Sequence, residues 1–154
     1  MILEPAVWLP IQLVATLFMA GLIWFVQIVH YPLMGKVGER RTASYATDHA
    51  NRTTFVVAPP MLLELAAATL FVWEQPPGVS FELAACGFGL VFLVWVATAV
   101  FSIPCHSRLQ RSFDSGAHRR LVRTNWIRTI GWTARVPIVV LMLYRFLENT
   151  QVPG

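Results

Sequence analysis

Four long apolar stretches limit how this chain can fold more than any other feature of its sequence. They cover residues 7–29, 54–73, 81–103 and 126–147. Each stretch has about the 20 residues that are needed to cross a hydrocarbon core of roughly 30 Å. We therefore predict four transmembrane helices.

The composition indicates an integral membrane protein with a single domain. Of the 154 residues, 56% are hydrophobic and only 13% are charged, which lies outside the range of ordinary soluble domains. The first stretch has no basic residue before it and is too long for the apolar core of a signal peptide, so we expect it to be retained. We predict an all-α four-helix bundle that covers residues 1–154 as one transmembrane domain.

The basic residues indicate how the bundle is oriented. Of the twelve lysine and arginine residues, nine lie in the two loops at residues 31–53 and 104–125. By the positive-inside rule these loops are cytoplasmic and both termini lie outside, as in a multi-pass protein of the bacterial inner membrane. No soluble module is left that could bind nucleic acid. The partners that we expect are the lipid bilayer and a lipophilic small molecule.

Glu64 and Arg135 are charged residues within the predicted spans. Each lies about ten residues, or roughly 15 Å, from the cytoplasmic end of its helix. A lone charge at this depth costs from about 3 to more than 10 kcal/mol, so we predict that the two side chains form a buried ion pair, either directly or through a bridging water. Its role stays open between a structural bridge that fixes the register of the helices and a substrate or proton site.

The last span carries a polar face. If it is helical, Asn125, Arg128, Trp132 and Arg135 fall at positions i, i+3, i+7 and i+10, on one side of the helix. Charged side chains in membrane helices normally face the bundle interior or a wet cavity. We expect the same of this face.

Three other segments bring polar residues to the cytoplasmic end. The first span ends with Trp24, Gln27 and His30 at three-residue spacing, and we expect Pro32 to stop this helix. Residues 39–52 form a predicted amphipathic helix, which either lies on the membrane surface or acts as a lid over the bundle. A lid would turn His49, Asn51 and Arg52 toward the bundle. The third span and the residues just after it add Thr98 and His106.

Together these residues predict a polar cavity in the cytoplasmic half of the bundle, with aromatic walls and the ion pair as its floor. Such a cavity suits a flat, lipophilic small molecule. The residues expected to carry the chemistry are His30, His49, Arg52, His106, Asn125 and Arg128. The further residues expected to line the cavity are Trp24, Gln27, Asn51, Glu64, Thr98, Trp132 and Arg135.

A weak internal repeat is visible in the spacing of these residues. Arg52 follows His30 after 22 residues, and Arg128 follows His106 after the same interval. Two helical hairpins related by a pseudo-two-fold axis along the membrane normal would produce this spacing, since the first and third spans run in the same direction. One shared spacing can also arise by chance.

Three chemistries are compatible with the predicted cavity. Its histidines could hold a transition metal, or His30 and His106 could ligate a haem from opposite helices with Arg52 and Arg128 on its propionates. Without a cofactor, a histidine could act as general base on an acidic phenol or enol while the arginines stabilise the resulting anion. Alternatively, the cavity could transport a small anion, with the ion pair as its gate.

Four short motifs lie at the cytoplasmic ends of the predicted helices, namely His30-Tyr31-Pro32-Leu33, His49-Ala50-Asn51-Arg52, Pro104-Cys105-His106 and Thr124-Asn125-Trp126-Ile127-Arg128-Thr129. They resemble motifs of the anthrone-oxygenase-like family of small four-helix membrane proteins. The resemblance covers the layout of about residues 27–135. It implies an oxygenase that acts on a polycyclic phenolic or related lipophilic substrate, with or without a metal. The positions that it singles out are His30, His49, Asn51, Arg52, His106, Asn125 and Arg128.

Our leading functional prediction is a membrane-embedded oxidoreductase or oxygenase that acts on a lipophilic aromatic or phenolic small molecule. The alternative is a transporter or channel subunit for a small anion or a lipophilic molecule. A third hypothesis is an accessory subunit that catalyses no reaction. The sequence leaves the substrate and any metal open. A homo-oligomer packed through Gly21, or through Gly87 and Gly89, is compatible with it.

Overall fold

In a computed structural model that describes residues 4–151, the chain forms four long helices joined by short connections. They are α1 (Pro5–Met34), α2 (Glu39–Trp73), α3 (Phe81–Leu109) and α4 (Ser115–Gln151). All four are long and apolar enough to cross a membrane. No strand occurs among the described residues. The protein is an all-α transmembrane four-helix bundle, which confirms the predicted fold class.

The helices extend well beyond the predicted spans. α2 begins at Glu39 and α4 begins at Ser115, so the basic segments before the second and fourth apolar stretches are continuous with those helices. The connections at residues 35–38 and 110–114 lie at the same end of the bundle, which we call the basic end. The remaining connection, at residues 74–80, lies at the opposite end.

Proline does not end α1, contrary to the expectation for Pro32. Residues Val26–His30 are π-helical, and the chain then continues through one further α-helical turn, Tyr31–Met34. A π-helical turn pairs each N–H with the carbonyl five residues back. The wider turn therefore tolerates a proline, which has no N–H and would clash with the carbonyl four residues back. α3 repeats the arrangement, with π-helical residues Thr98–Ser102 before Pro104.

These two π-helical segments give the internal repeat a different register from the predicted one. Each segment ends two residues before a proline, which pairs Pro32 with Pro104. In this register His30 corresponds to Ser102, whereas the 22-residue spacing paired it with His106. The two histidines are therefore not equivalent positions, although α1 and α3 share the same backbone feature.

Two apolar clusters fill the interior of the bundle. The cluster at the basic end includes Met19, Ile23 and Leu121, and the cluster at the opposite end includes Phe71 and Met142. Van der Waals packing of this kind is a main source of helix association in lipid. Between the two clusters lies a layer of polar side chains.

Gly87 belongs to the inside of the bundle and not to an outer face. A Cβ at this position would lie 2.9 Å from Met142 Cε, so glycine allows α3 and α4 to approach each other closely. Gly21 and Gly89 are exposed and have open space around the position of a Cβ. Of the three glycines considered for an oligomer contact, Gly87 is thus already used within the bundle.

The polar layer contains the predicted ion pair, whose contacts reach all four helices. Arg135 Nε of α4 lies 3.2 Å from Glu64 Oε1 of α2, and the two side chains are only 1% and 2% exposed. Arg135 also donates through Nη1 to the Gly87 carbonyl of α3 and through Nη2 to Gln12 Oε1 of α1, the latter at 2.9 Å. Each nitrogen of this guanidinium therefore has an acceptor.

Glu64 is equally well paired. Thr16 Oγ1 donates to Glu64 Oε1 at 2.6 Å, and Trp132 Nε1 donates to Glu64 Oε2 at 2.9 Å. The attraction within a buried ion pair offsets the cost of desolvation only when further hydrogen bonds satisfy both side chains. Glu64 and Arg135 both have such hydrogen bonds. These contacts support the structural role, in which the pair fixes the register of the four helices.

Removing one member of the ion pair should destabilise the bundle strongly. We expect Glu64→Gln or Arg135→Met to lower the free energy of unfolding by about 3–5 kcal/mol, because each change leaves a buried charge uncompensated. Thermal unfolding of the purified protein in detergent micelles, followed by circular dichroism, measures the effect.

The double variant Glu64→Gln/Arg135→Met should recover most of this loss, since neither charge of the pair then remains. Glu82→Gln, which removes an exposed carboxyl at the start of α3, is the control and should change the unfolding temperature little. Losses that simply add in the double variant would contradict the direct pairing of the two charges.

Candidate functional site

A cavity of about 320 Å³ opens between α1, α2 and α3 at the basic end, and α4 contributes Arg128 to its wall. One wall of the cavity is apolar and is formed by four residues of α1, namely Met19, Leu22, Ile23 and Val26. An apolar wall that faces a few convergent polar groups is typical of a small-molecule site. The polar side chains that line the cavity are Tyr31, His49, Asn51, Thr53, Thr54, Thr98, Ser102, His106, Ser107, Gln110 and Arg128.

Arg128 is a buried cation without an acidic partner in the described part of the chain. Its side chain is 8% exposed, and the ion pair found in that part of the chain joins Glu64 to Arg135 instead. Its Nη1 donates to two neutral oxygens, Ser102 Oγ at 3.1 Å and Asn125 Oδ1 at 3.3 Å. Its Nε has no hydrogen-bond partner there. Because an uncompensated buried guanidinium is costly, the cavity beside it is suited to an anion.

Two amides behind Arg128 hold the guanidinium in place. Asn125 is fully buried one turn earlier on α4 and donates through Nδ2 to Gln27 Oε1 at 2.9 Å. Gln27 in turn donates to the Val122 carbonyl at 3.3 Å. Neither amide lines the cavity, so both orient Arg128 without contacting a ligand.

Trp132 connects Arg128 to the ion-pair network. Arg128 Cζ lies 5.3 Å from the centroid of the Trp132 ring, in a cation–π contact. The same indole donates to Glu64. Arg128 and the Glu64–Arg135 network thus form one continuous column of polar side chains through the middle of the bundle. Since Arg135 already neutralises Glu64, the column carries one positive charge in excess.

Three histidines come together from three helices. The ring centroids of His30 and His49 are 4.2 Å apart with an interplanar angle of 22°, and those of His49 and His106 are 5.4 Å apart. Tyr45 extends the stack, with its ring centroid 6.1 Å from that of His30. His49 and His106 line the cavity, whereas His30 lies behind His49.

His106 pairs with a tyrosine that was not among the predicted site residues. Tyr31 Oη lies 3.1 Å from His106 Nε2, and this hydroxyl also neighbours the guanidinium of Arg128. His106 Nδ1 is buried and has no hydrogen-bond partner within residues 4–151. That nitrogen is therefore free to exchange a hydrogen bond or a proton with a ligand in the cavity.

His118 was also not among the predicted site residues. His118 Nε2 donates to the Tyr31 carbonyl at 2.8 Å. That carbonyl belongs to the last turn of α1, where carbonyls lack helical partners. A Cβ on Gly35 would lie 2.7 Å from His118 Cε1, so glycine makes room for the imidazole ring. This contact anchors the turn that carries Tyr31.

Arg52 is the main correction among the residues predicted to carry chemistry. It is exposed and does not line the cavity, although it was expected to stabilise an anion. The residues of α2 that line the cavity are His49, Ala50, Asn51, Thr53, Thr54 and Val57. At about 100° per residue, their mean direction is opposite to that of Arg52, which therefore lies on the other side of the helix. Of the six predicted residues, those that line the cavity are His49, His106 and Arg128.

The predicted lining is only partly correct. Asn51 and Thr98 line the cavity, but Gln27 lies behind the guanidinium and Trp24 is exposed, with its indole donating to Thr133 Oγ1 at 3.0 Å. The Glu64–Arg135 ion pair is not the floor of the cavity, because Trp132 lies between this pair and Arg128. The residues of the network that do not reach the cavity are Glu64, Trp132 and Arg135.

The histidines do not fit the haem or metal sites that the sequence allows. His49 is close to both His30 and His106, so its imidazole occupies the space that a porphyrin held between those two residues would need. Across the residues that the structure describes, no group of three or more His, Cys, Asp or Glu side chains is arranged to hold a metal ion. We therefore assign no ligand role to these histidines.

The fold and the cavity define a small four-helix membrane protein with a cavity beside a buried cation. No protein-family model matches the chain, and no curated protein and no solved structure matches it. The resemblance to the anthrone-oxygenase-like family therefore rests on the sequence motifs alone.

The close contact between Gly35 and the His118 ring can be tested by adding a methyl group at position 35. We expect Gly35→Ala to destabilise the basic end by about 1–3 kcal/mol, because the new methyl group would overlap the imidazole ring. Thermal unfolding in detergent measures the change. Gly89→Ala is the matched control and should be nearly neutral, since nothing lies within 4 Å of the position of its Cβ.

The double variant Gly35→Ala/His118→Ala isolates the contact itself. Without the imidazole there is no overlap, so Gly35→Ala should add little to the effect of His118→Ala. Two additive effects would show that Gly35 is needed for another reason.

Proposed function

We propose that the protein is a membrane-embedded oxidoreductase or oxygenase that binds a lipophilic aromatic phenol or enol, as its anion, in the cavity beside Arg128. The observation that carries this proposal is the buried guanidinium, which has no acidic partner in the described part of the chain and faces a cavity with an apolar wall. A ligand with an apolar ring system and one acidic oxygen would satisfy both parts of the site.

In this proposal His106 is the general base. Its unpaired Nδ1 accepts the proton of the phenol or enol, and Arg128 stabilises the resulting oxyanion. This role requires the tautomer in which His106 Nε2 carries the hydrogen and donates it to Tyr31 Oη. Tyr31 then keeps the imidazole oriented toward the cavity.

Dioxygen is the oxidant that an oxygenase reaction at this site would use. The enolate form of the substrate is electron-rich at carbon and can transfer electrons to dioxygen. Overall, a methylene carbon loses two hydrogens and gains one oxygen atom as a carbonyl, and the second oxygen atom leaves with the two hydrogens as water. The part of the protein is to form the anion, hold it at Arg128 and exclude bulk water with the apolar wall.

We also propose that the bundle lies in a bacterial-type inner membrane with its basic end in the cytoplasm and both ends of the chain outside. The excess of arginine and lysine around the connections at residues 35–38 and 110–114 supports this orientation. The cavity would then open toward the cytoplasm or the inner leaflet, from which a lipophilic substrate can enter.

The contacts of the ion pair weigh against the alternative of a transporter gated by Glu64 and Arg135. Both side chains are fully hydrogen-bonded and lie outside the cavity. Opening the pair would leave several buried polar groups unpaired, each at a cost of about 1–3 kcal/mol. We therefore do not propose transport as a second function.

Binding of a fluorescent naphthol to the purified protein tests the anion site. We expect Arg128→Gln to weaken binding by about tenfold to a hundredfold, the range for one lost charge-assisted hydrogen bond. Arg52→Gln removes the same charge outside the cavity and should leave the affinity unchanged. Equal affinities in wild type and Arg128→Gln would contradict the proposal.

Oxygen uptake separates an oxygenase from a transporter. With a polycyclic phenol whose keto form has a ring methylene as substrate, we expect uptake by the wild-type protein and a loss of about a hundredfold in rate for His106→Ala, because the general base is removed. Binding of the phenol should be largely retained in that variant. Phenol flux into liposomes without oxygen uptake would instead identify a transporter.

A further inference from the structure

A second concave feature lies on the outer surface of α4 at the basic end. It is a groove of about 470 Å³ that shares no lining residue with the cavity. Three of its residues are arginines within five positions of one another, so positive charge is concentrated there. The groove is lined by Gly116, Arg119, Arg120, Arg123, Thr124 and Ile127.

The arginines of this groove are not neutralised by the protein. None of them forms an ion pair with an acidic residue in the part of the chain that the structure describes. Asp114, just before α4, accepts instead from the Ala117 N–H at 2.9 Å. That hydrogen bond is the main cause of the lowered pKa of the Asp114 carboxyl, and Arg108 and Arg119 add to it through space.

One of the three arginines is already held in position. Arg120 Cζ lies 5.5 Å from the centroid of the Phe101 ring on α3, in a cation–π contact. All three arginines are exposed and line the groove, and no aromatic contact of this kind holds Arg119 or Arg123 in the described part of the chain. The groove thus offers one fixed and two adaptable guanidiniums, which suits an anion with several oxygens.

The position of the groove along α4 places it at the level of the lipid headgroups. Trp126 is 39% exposed and Ile130 is 62% exposed, so the lipid-facing part of α4 begins about there. Arg123 precedes Trp126 by three residues, which is roughly 5 Å along the helix axis. Ile127 adds an apolar contact on the membrane side of the arginines.

We propose that this groove binds the phosphate headgroup of an anionic phospholipid, with the arginines on the phosphate oxygens and an acyl chain beside Ile127. The charge, the headgroup depth and the apolar lower edge all match a lipid phosphate. A soluble phosphate would meet the same arginines but would gain nothing from the apolar edge. The proposal is independent of the reaction assigned to the cavity.

Native mass spectrometry of the purified protein, with phosphatidylglycerol and phosphatidylcholine in competition, tests this assignment. We expect the wild-type protein to retain phosphatidylglycerol preferentially. Arg119→Gln/Arg123→Gln should reduce that preference by about tenfold. The matched control is Arg40→Gln/Arg41→Gln. It removes two exposed charges from the start of α2, which also lies at the basic end of the bundle, and it should keep the preference for phosphatidylglycerol.

Each other outcome overturns the proposal. Equal losses in the two double variants would mean diffuse attraction to the whole basic end, and equal retention of both lipids would mean that no anionic lipid is bound. Displacement of the lipid by millimolar inorganic phosphate would identify a site for a soluble anion. Unchanged thermal unfolding of the groove variant, expected for exposed side chains, shows that the fold is intact.

Discussion

The bundle buries one carboxylate against two guanidiniums, and the rest of the structure depends on this imbalance. Glu64 and Arg135 neutralise each other in a network that reaches all four helices. Arg128, two turns away on α4, touches that network through Trp132 but keeps its charge. In a bilayer such a charge is tolerated where it meets water or a counter-ion, and the cavity provides that place. The ion-pair network and the cavity beside Arg128 are therefore joined in one continuous column of polar contacts.

Two interruptions of regular helix build the wall of the cavity. The π-helical residues Val26–His30 precede the turn that carries Tyr31, and the π-helical residues Thr98–Ser102 end at the serine that accepts from Arg128. One extra residue in a helical turn rotates the residues that follow by about 100° relative to those before. The ends of α1 and α3 consequently present a different face to the interior from the rest of each helix. The polar groups that would otherwise face lipid are turned toward the buried cation.

The fold class and the ion pair were predictable from sequence because both follow from the penalty that lipid places on polar groups. The site was predictable only in part. Arg52 was misplaced because residue spacing does not reveal how a helix is rotated about its axis. Tyr31 was missed because Pro32 was taken as a helix end, which hid the change of face that the π-helical turn introduces. Ser102 was missed because the matching π-helical turn before Pro104 was not predicted. His118 was missed because it lies near the start of α4, and the sequence does not show that this segment meets the last turn of α1.

The absorption spectrum of a naphthol bound to the wild-type protein tests the central claim most directly, because the naphtholate anion absorbs at longer wavelength than the neutral naphthol. If the uncompensated charge of Arg128 makes the cavity an anion site, the bound naphthol will ionise at a lower pH than the free naphthol in the same detergent. A bound naphthol that remains neutral up to the pH at which the free compound ionises would contradict the claim.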